Sequence, residues 1–154
     1  MQLTRAADYG VRVMIQLASA GVDARVSLPE LADAADVSPA FLSKILQRLV
    51  RAKLIISRRG KKGGFELLEC GRAASLLDIL QAIDGVPELN VCLLPGGCDR
   101  SERCGVHPVW RVAQDRLRET LAAATLEQLV AETRARQIPQ RAYGPGSSST
   151  TSSN

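Results

Sequence analysis

Aromatic side chains are nearly absent from this chain: two Phe, two Tyr and one Trp among 154 residues. The core must therefore be built from Leu, Val, Ile and Ala, a composition that favours helices. Histidine occurs once. With no second histidine, no Ser-His-Asp set and no phosphate-binding glycine loop opening a helix, the chain lacks the usual equipment of an enzyme, and no catalytic residue is expected. Long apolar runs are missing too. None approaches the roughly 18 residues that span a membrane. The N-terminal segment carries Asp8 and Arg12 inside an amphipathic pattern, where a secretory signal would need an unbroken apolar stretch. A cytoplasmic protein without a membrane partner is expected. There are only four cysteines, and in a reducing compartment a disulfide framework is not expected of them.

Acidic residues are missing from one particular place. The formal net charge is +4, a mild bias whose distribution matters more than its total. From Ala40 to Lys62 there are eight basic residues (Lys44, Arg48, Arg51, Lys53, Arg58, Arg59, Lys61 and Lys62) and no Asp or Glu. So one-sided a segment repels itself unless it faces a polyanion. A solvated basic face is the bland alternative, and the flanking pattern argues against it.

That pattern is a succession of short helices and a hairpin. Residues 4–20 read as a helix with Val11, Val13, Met14, Ile15, Leu17 and Ala18 on a broad apolar face. A loop over Gly21–Arg25 comes next. Ser27 and Glu30 have capping-box spacing, with Pro29 in the first turn. This second helix ends near Ala35–Val37. Ser38 and Pro39 then open a third, with Leu42, Ile45, Leu46, Leu49 and Val50 inward and Ser43, Lys44, Gln47, Arg48 and Arg51 outward. Two short helices with a tight turn are a helix-turn-helix signature. "LIISRRGKKGGFELL" reads as a β-hairpin with a basic, glycine-rich tip. The fold expected is mainly α: a winged helix-turn-helix DNA-binding domain over residues 1–85.

In such a domain the second helix of the pair enters the major groove and the wing lays cations along phosphates. Ser38, Ala40, Ser43 and Lys44 are the candidate groove-facing residues. Arg48, Arg51, Arg58, Arg59, Lys61 and Lys62 are candidates for phosphate contact, Arg59 being favoured for a minor-groove or base contact. A winged helix used for protein contacts is the rival reading.

A fourth helix is expected over Ser75–Asp84, capped by Ser75 with Asp78 and ended by Gly85. Residues 86–107 form a Pro/Gly/charge-rich loop. It holds three of the four cysteines and the single histidine, spaced Cys92-x5-Cys98-x5-Cys104-x2-His107. Residues 108–136 are strongly helical. Thr125 and Gln128 predict a second capping box, so the helix breaks at Ala124 and restarts at Leu126. Lying outside the winged helix, these residues are expected to dimerise the protein, since helix-turn-helix proteins read paired half-sites as twofold dimers. The alternative is a helix folded back on its own domain. Residues 137–154, rich in Pro, Gly, Ser and Thr, are expected to be disordered.

Thiolates are soft ligands that suit zinc or iron–sulfur clusters. Structural zinc sites space their ligands more tightly than these five-residue gaps, which wrap better around something larger than one ion. A zinc-stabilised site and a metal-free thiol redox switch stay open as alternatives. Cys70 stands apart at the end of the wing and reads as buried and inert.

Several stretches together resemble the winged-helix iron–sulfur transcription regulators of the IscR, NsrR and RirA type. They are "MQLTRAADYGVRVM", "VSPAFLSKILQRLVRAKLI", "RRGKKGGF", "DILQAIDG", the three-cysteine spacing, and "CGVHPVWRVAQDRL" with "TLEQLV". The resemblance covers about residues 1–133 and is closest to the IscR branch. It implies a homodimeric regulator, most simply a repressor, that binds a pseudo-palindromic DNA operator and holds one iron–sulfur cluster per subunit. Cys92, Cys98 and Cys104 would be ligands. His107 stands where the IscR branch uses a histidine, which implies a 2Fe–2S cluster. Asp8 stands where the NsrR branch uses a carboxylate from the other subunit, which implies 4Fe–4S. The local context favours His107 and 2Fe–2S.

Overall fold

The computed structural model describes residues 3–60 and 63–137; Lys61, Lys62 and the tail from residue 138 onward lie outside the described residues. Helix α1 spans Arg5–Ala20, and Thr4 caps it by accepting from the Ala7 N–H. Strand β1 is Arg25–Val26 and helix α2 Leu28–Ala35. The capping box is formed in full: Ser27 Oγ accepts from the Glu30 N–H, and the Glu30 carboxylate accepts from the Ser27 N–H. Helix α3 spans Pro39–Arg51, with Ser38 accepting from the Phe41 N–H. Strands β2 (Ile55–Arg58) and β3 (Gly64–Leu67) make the hairpin.

Two short elements depart from the sequence reading. Arg25, expected as the end of a loop, and Val26 form a third strand against β3, in the order β1-β3-β2 with Arg25 opposite Glu66. Two residues are too few for any alternation to show; the open edge of β3 draws them into register. A one-turn helix α4 (Glu69–Arg72) comes after the wing. It presses so closely on the turn after α3 that a side chain at Gly71 would overlap the Leu54 carbonyl.

Helix α5 covers Leu76–Asp84, with a complete capping box between Ser75 and Asp78. Helix α6 runs His107–Ala123 and α7 runs Leu126–Gln137, so the expected break at Ala124 is present. Gln137, expected to begin the tail, closes α7. The Thr125–Gln128 box that restarts the helix is also formed.

The larger departure concerns α7. The core joins Val13, Met14 and Leu17 of α1, Leu31 of α2, Leu42, Ile45, Leu46 and Leu49 of α3, and Ile79 and Ile83 of α5. Leu126 and Val130 of α7 are buried in the same cluster. The Leu76 N–H donates to Ala124 and the Leu126 N–H to Ala74, which stitches the start of α7 to the start of α5. Residues 1–85 therefore do not close the core alone. The expectation of one dimerising unit over 108–136 divides: α7 folds back onto its own domain, while α6 leaves Val109 and Val112 exposed. An apolar i,i+4 pair such as Leu126/Val130 marks a helix face but not its partner, and it suits either arrangement.

Candidate nucleic-acid interface and cysteine loop

The reading helix α3 is pinned by its apolar stripe, which leaves the opposite face to solvent. Ser38, Ala40, Lys44 and Arg51 are exposed there and Ser43 is half-buried. The Ser38 hydroxyl oxygen is engaged by the cap. Lys44 has no ion pair or hydrogen bond among the described residues. Arg51 makes only a long bond, 3.4 Å, to the Gln47 carbonyl. Both cations stay available to a polyanion. Arg48, though also exposed, is engaged: its Nη1 donates to the Ile83 carbonyl at 2.6 Å and lies 3.7 Å from the Asp84 carboxylate.

Sequence reasoning missed Phe41, an exposed aromatic in the first turn of α3. Its ring meets Tyr9 of α1 edge-on at 5.8 Å between centroids. The Arg12 guanidinium lies over the Tyr9 ring and pairs with Asp8 at 2.9 Å. Asp8 thus stands on an exposed face of α1, already paired. The signal for Phe41 was present: an aromatic just after an N-cap, in a chain with so few.

In the wing, Gly60 adopts φ 110°, a backbone that only glycine takes easily, and the Gly63 N–H closes the turn onto the Gly60 carbonyl. A Cβ at Gly63 would lie 2.5 Å from the Arg58 carbonyl oxygen. Arg58 shares the Glu66 carboxylate with Arg25, at 3.6 and 3.2 Å. Arg59 is exposed, with no ion pair among the described residues. Lys61 and Lys62 fall outside them.

The cysteine loop leaves α5 at Gly85, whose φ of 83° turns the chain out of the helix. Its first residues are clamped to α6. Gln114, 4% exposed, donates to the Pro87 carbonyl at 2.7 Å and accepts from the Leu89 N–H at 2.8 Å. Glu88 pairs with Arg118. Beyond this clamp the loop holds only 3-10 turns of three residues, Val91–Leu93 and Ser101–Arg103. Cys92 lies in the first turn, half-buried. Cys98 is exposed between the turns, and half-buried Cys104 precedes α6, of which His107 is the first residue. All four thiols are free.

Among the described residues no three Cys, His, Asp or Glu side chains converge on a point that would hold a metal ion. Chemically the donor set still fits a metal or cluster: three soft thiols in one loop and an imidazole on the first residue of the helix that follows it. Cys70 corrects the sequence reading. It is exposed on α4, with its thiol donating to the Lys53 carbonyl at 2.8 Å. At the end of the wing it was expected to be buried, but the single turn of α4 presents it outward.

Among the described residues no helix is long and apolar enough to cross a membrane. The profile of Rrf2, described as an iron-dependent transcriptional regulator, matches residues 3–132. A candidate HTH-type transcriptional regulator of Mycobacterium tuberculosis is 35% identical over 130 residues, covering 82% of this chain and 79% of the relative. The HTH-type transcriptional regulator IscR of Escherichia coli is 29% identical over 130 residues, 84% of this chain and 80% of its own. The structure of CymR, the global cysteine regulator of Bacillus subtilis, superposes with a TM-score of 0.70 at 27% identity, covering 86% of this chain and 98% of that one. The chain belongs to the Rrf2 family and is a winged-helix, DNA-binding transcriptional regulator.

Proposed function

We propose that the chain is a cytoplasmic, homodimeric repressor whose affinity for a pseudo-palindromic operator depends on an iron–sulfur cluster, one per subunit, held in the cysteine loop. Cys92, Cys98 and Cys104 are the thiolate ligands, with His107 as the fourth for a 2Fe–2S cluster. Asp8 of the partner subunit is the alternative, for a 4Fe–4S cluster. When bound, the cluster supplies a group whose redox state, assembly or attack by nitric oxide changes the loop. The chain's own residues do the rest. Gln114, Arg118 and Gly85 fix where the loop starts, and α6 fixes where it ends.

The carrying observation is that placement: three thiols lie between α5, which packs into the reading domain, and α6, whose exposed valines suit a second subunit. Ser38, Ala40, Ser43, Lys44, Arg51 and Arg59 meet DNA. Arg58, with Lys61 and Lys62 beyond the described residues, adds to the phosphate contacts.

A second reading is a metal-free thiol redox switch. The exposed Cys98 and the likeness to CymR favour it. Iron and sulfide quantitation with an absorption spectrum, on protein purified without oxygen, separates the readings. Two irons per chain support His107, and four support Asp8. A colourless protein with one zinc supports a zinc-stabilised regulator. Protein without metal whose DNA affinity changes on oxidation supports the thiol switch.

A further inference from the structure

Arg48 is the cation of the reading helix whose guanidinium is held by another element. It lies four residues after Lys44 and three before Arg51, so the helical period groups the three together. Its guanidinium instead turns to the last turn of α5, donating to the Ile83 carbonyl at 2.6 Å beside the Asp84 carboxylate at 3.7 Å. Carbonyls at a helix C-terminus lack intrahelical partners and carry the negative end of the dipole, so a guanidinium is well placed there. The other Asp84 oxygen accepts from Thr4 Oγ1 at 2.6 Å, which brings the N-cap of α1 into the same junction. Ile83 is itself fixed, because it packs over Gly10 so closely that a side chain there would overlap it.

The tie stands at the root of the cysteine loop. Gly85 turns the chain, and Pro87, Glu88 and Leu89 are held on α6. Between Ile83 and Leu89 the backbone therefore passes from a grip on the reading helix to a grip on α6, with Cys92 three residues beyond. We propose that Arg48 is a positioning residue: it ties the reading helix to the end of α5 where the cysteine loop begins, and it does not neutralise a DNA phosphate. Displacing the loop then shifts the pitch of α3 through Asp84 and Arg48; this second half rests on the proposed function. One nitrogen, Nη1, carries both contacts, a hydrogen bond to the carbonyl and a longer charge pairing with the carboxylate.

The test uses the full chain, with Arg48→Gln, Asp84→Asn and the double variant. Fluorescence anisotropy is read on a duplex selected from a randomised pool by the wild type, across a salt series. Asp84→Asn removes a negative charge, so a purely electrostatic effect would tighten DNA binding. The tie requires the opposite: each single variant weakens operator binding by about 3- to 30-fold, and the double variant is no weaker than the worse single one. It also requires Arg48→Gln to keep the wild-type salt slope. A slope reduced by about 0.9 in Arg48→Gln, with Asp84→Asn harmless or tightening, overturns the assignment. Thermal unfolding of each variant separates weak binding from loss of fold. If Arg48→Gln does not fold, Asp84→Asn decides alone, because its amide oxygen still accepts from Thr4.

The coupling half is read as the ratio of operator affinities between protein as purified without oxygen and protein alkylated on its thiols. In Asp84→Asn the ratio should fall toward one. A wild-type ratio away from one that Asp84→Asn keeps in full refutes the coupling. A wild-type ratio of one refutes the proposed function instead, and the salt slope and non-additivity still decide the role of Arg48.

Discussion

Leu126→Ala removes a side chain that is 1% exposed and sits where α7 joins the core of α1, α3 and α5. Buried Leu→Ala changes cost about 2–5 kcal/mol, the spread reflecting how far the site can collapse. Leu126 opens its helix, and the neighbouring backbone is held by the bonds to Ala74 and Leu76. Collapse is therefore limited on one side and free on the other, which places the loss near the middle, about 3 kcal/mol. At about 3 °C per kcal/mol for a chain of this size, the unfolding midpoint should fall by roughly 9 °C. Thermal and urea unfolding followed by circular dichroism measure it, with Val112→Ala as control. Val112 is 61% exposed on α6, and its truncation should change the fold of one subunit by less than about 0.5 kcal/mol. A Leu126→Ala loss below about 1 kcal/mol, well short of the range for a buried leucine, would refute the placement of α7 in the core.

Gly71→Ala should destabilise the domain by more than a helical Gly→Ala change could gain, because its methyl group would overlap the Leu54 carbonyl; a raised unfolding midpoint would contradict the close approach. Glu30 titrates below the ordinary carboxylate range because the Ser27 hydroxyl, then the Ser27 N–H, bond its carboxylate. A lowered folded pKa means that this stabilisation is fully present above the unfolded carboxylate value and is lost as pH falls through the folded one. NMR titration should show the Glu30 pKa rising toward its ordinary value in Ser27→Ala, and an unchanged pKa would disprove the cause. Arg59→Ala should weaken operator binding and, if its contact is a phosphate, lower the salt slope by about 0.9; titrations matching wild type at every salt concentration would take the wing off the DNA.

Features written in local spacing were the ones legible in the sequence. The boxes at Ser27/Glu30, Ser75/Asp78 and Thr125/Gln128 are all formed, since a cap needs only residues three apart. The apolar stripe of α3 and the glycine-rich wing tip were equally readable. Features that depend on a distant partner were not. Strand β1 exists because β3 offers an edge, and α7 docks because Ala74 and Leu76 receive its first turn. Arg48 carries the same periodicity as Lys44 and Arg51, and nothing in that periodicity reveals a guanidinium folded onto Ile83. The cysteine spacing identified a donor set. The clamp that fixes its start, Gln114 on Pro87 and Leu89, joins residues more than twenty positions apart.

The central claim is that the state of the cysteine loop sets DNA affinity. The most direct test is one anisotropy titration of the selected duplex with wild type and with Cys92→Ala, Cys98→Ala and Cys104→Ala, all purified without oxygen and assayed at one salt concentration. The account predicts folded variants that lack the wild type's bound iron and share one altered operator affinity. Iron content and affinity unchanged in all three variants would contradict it.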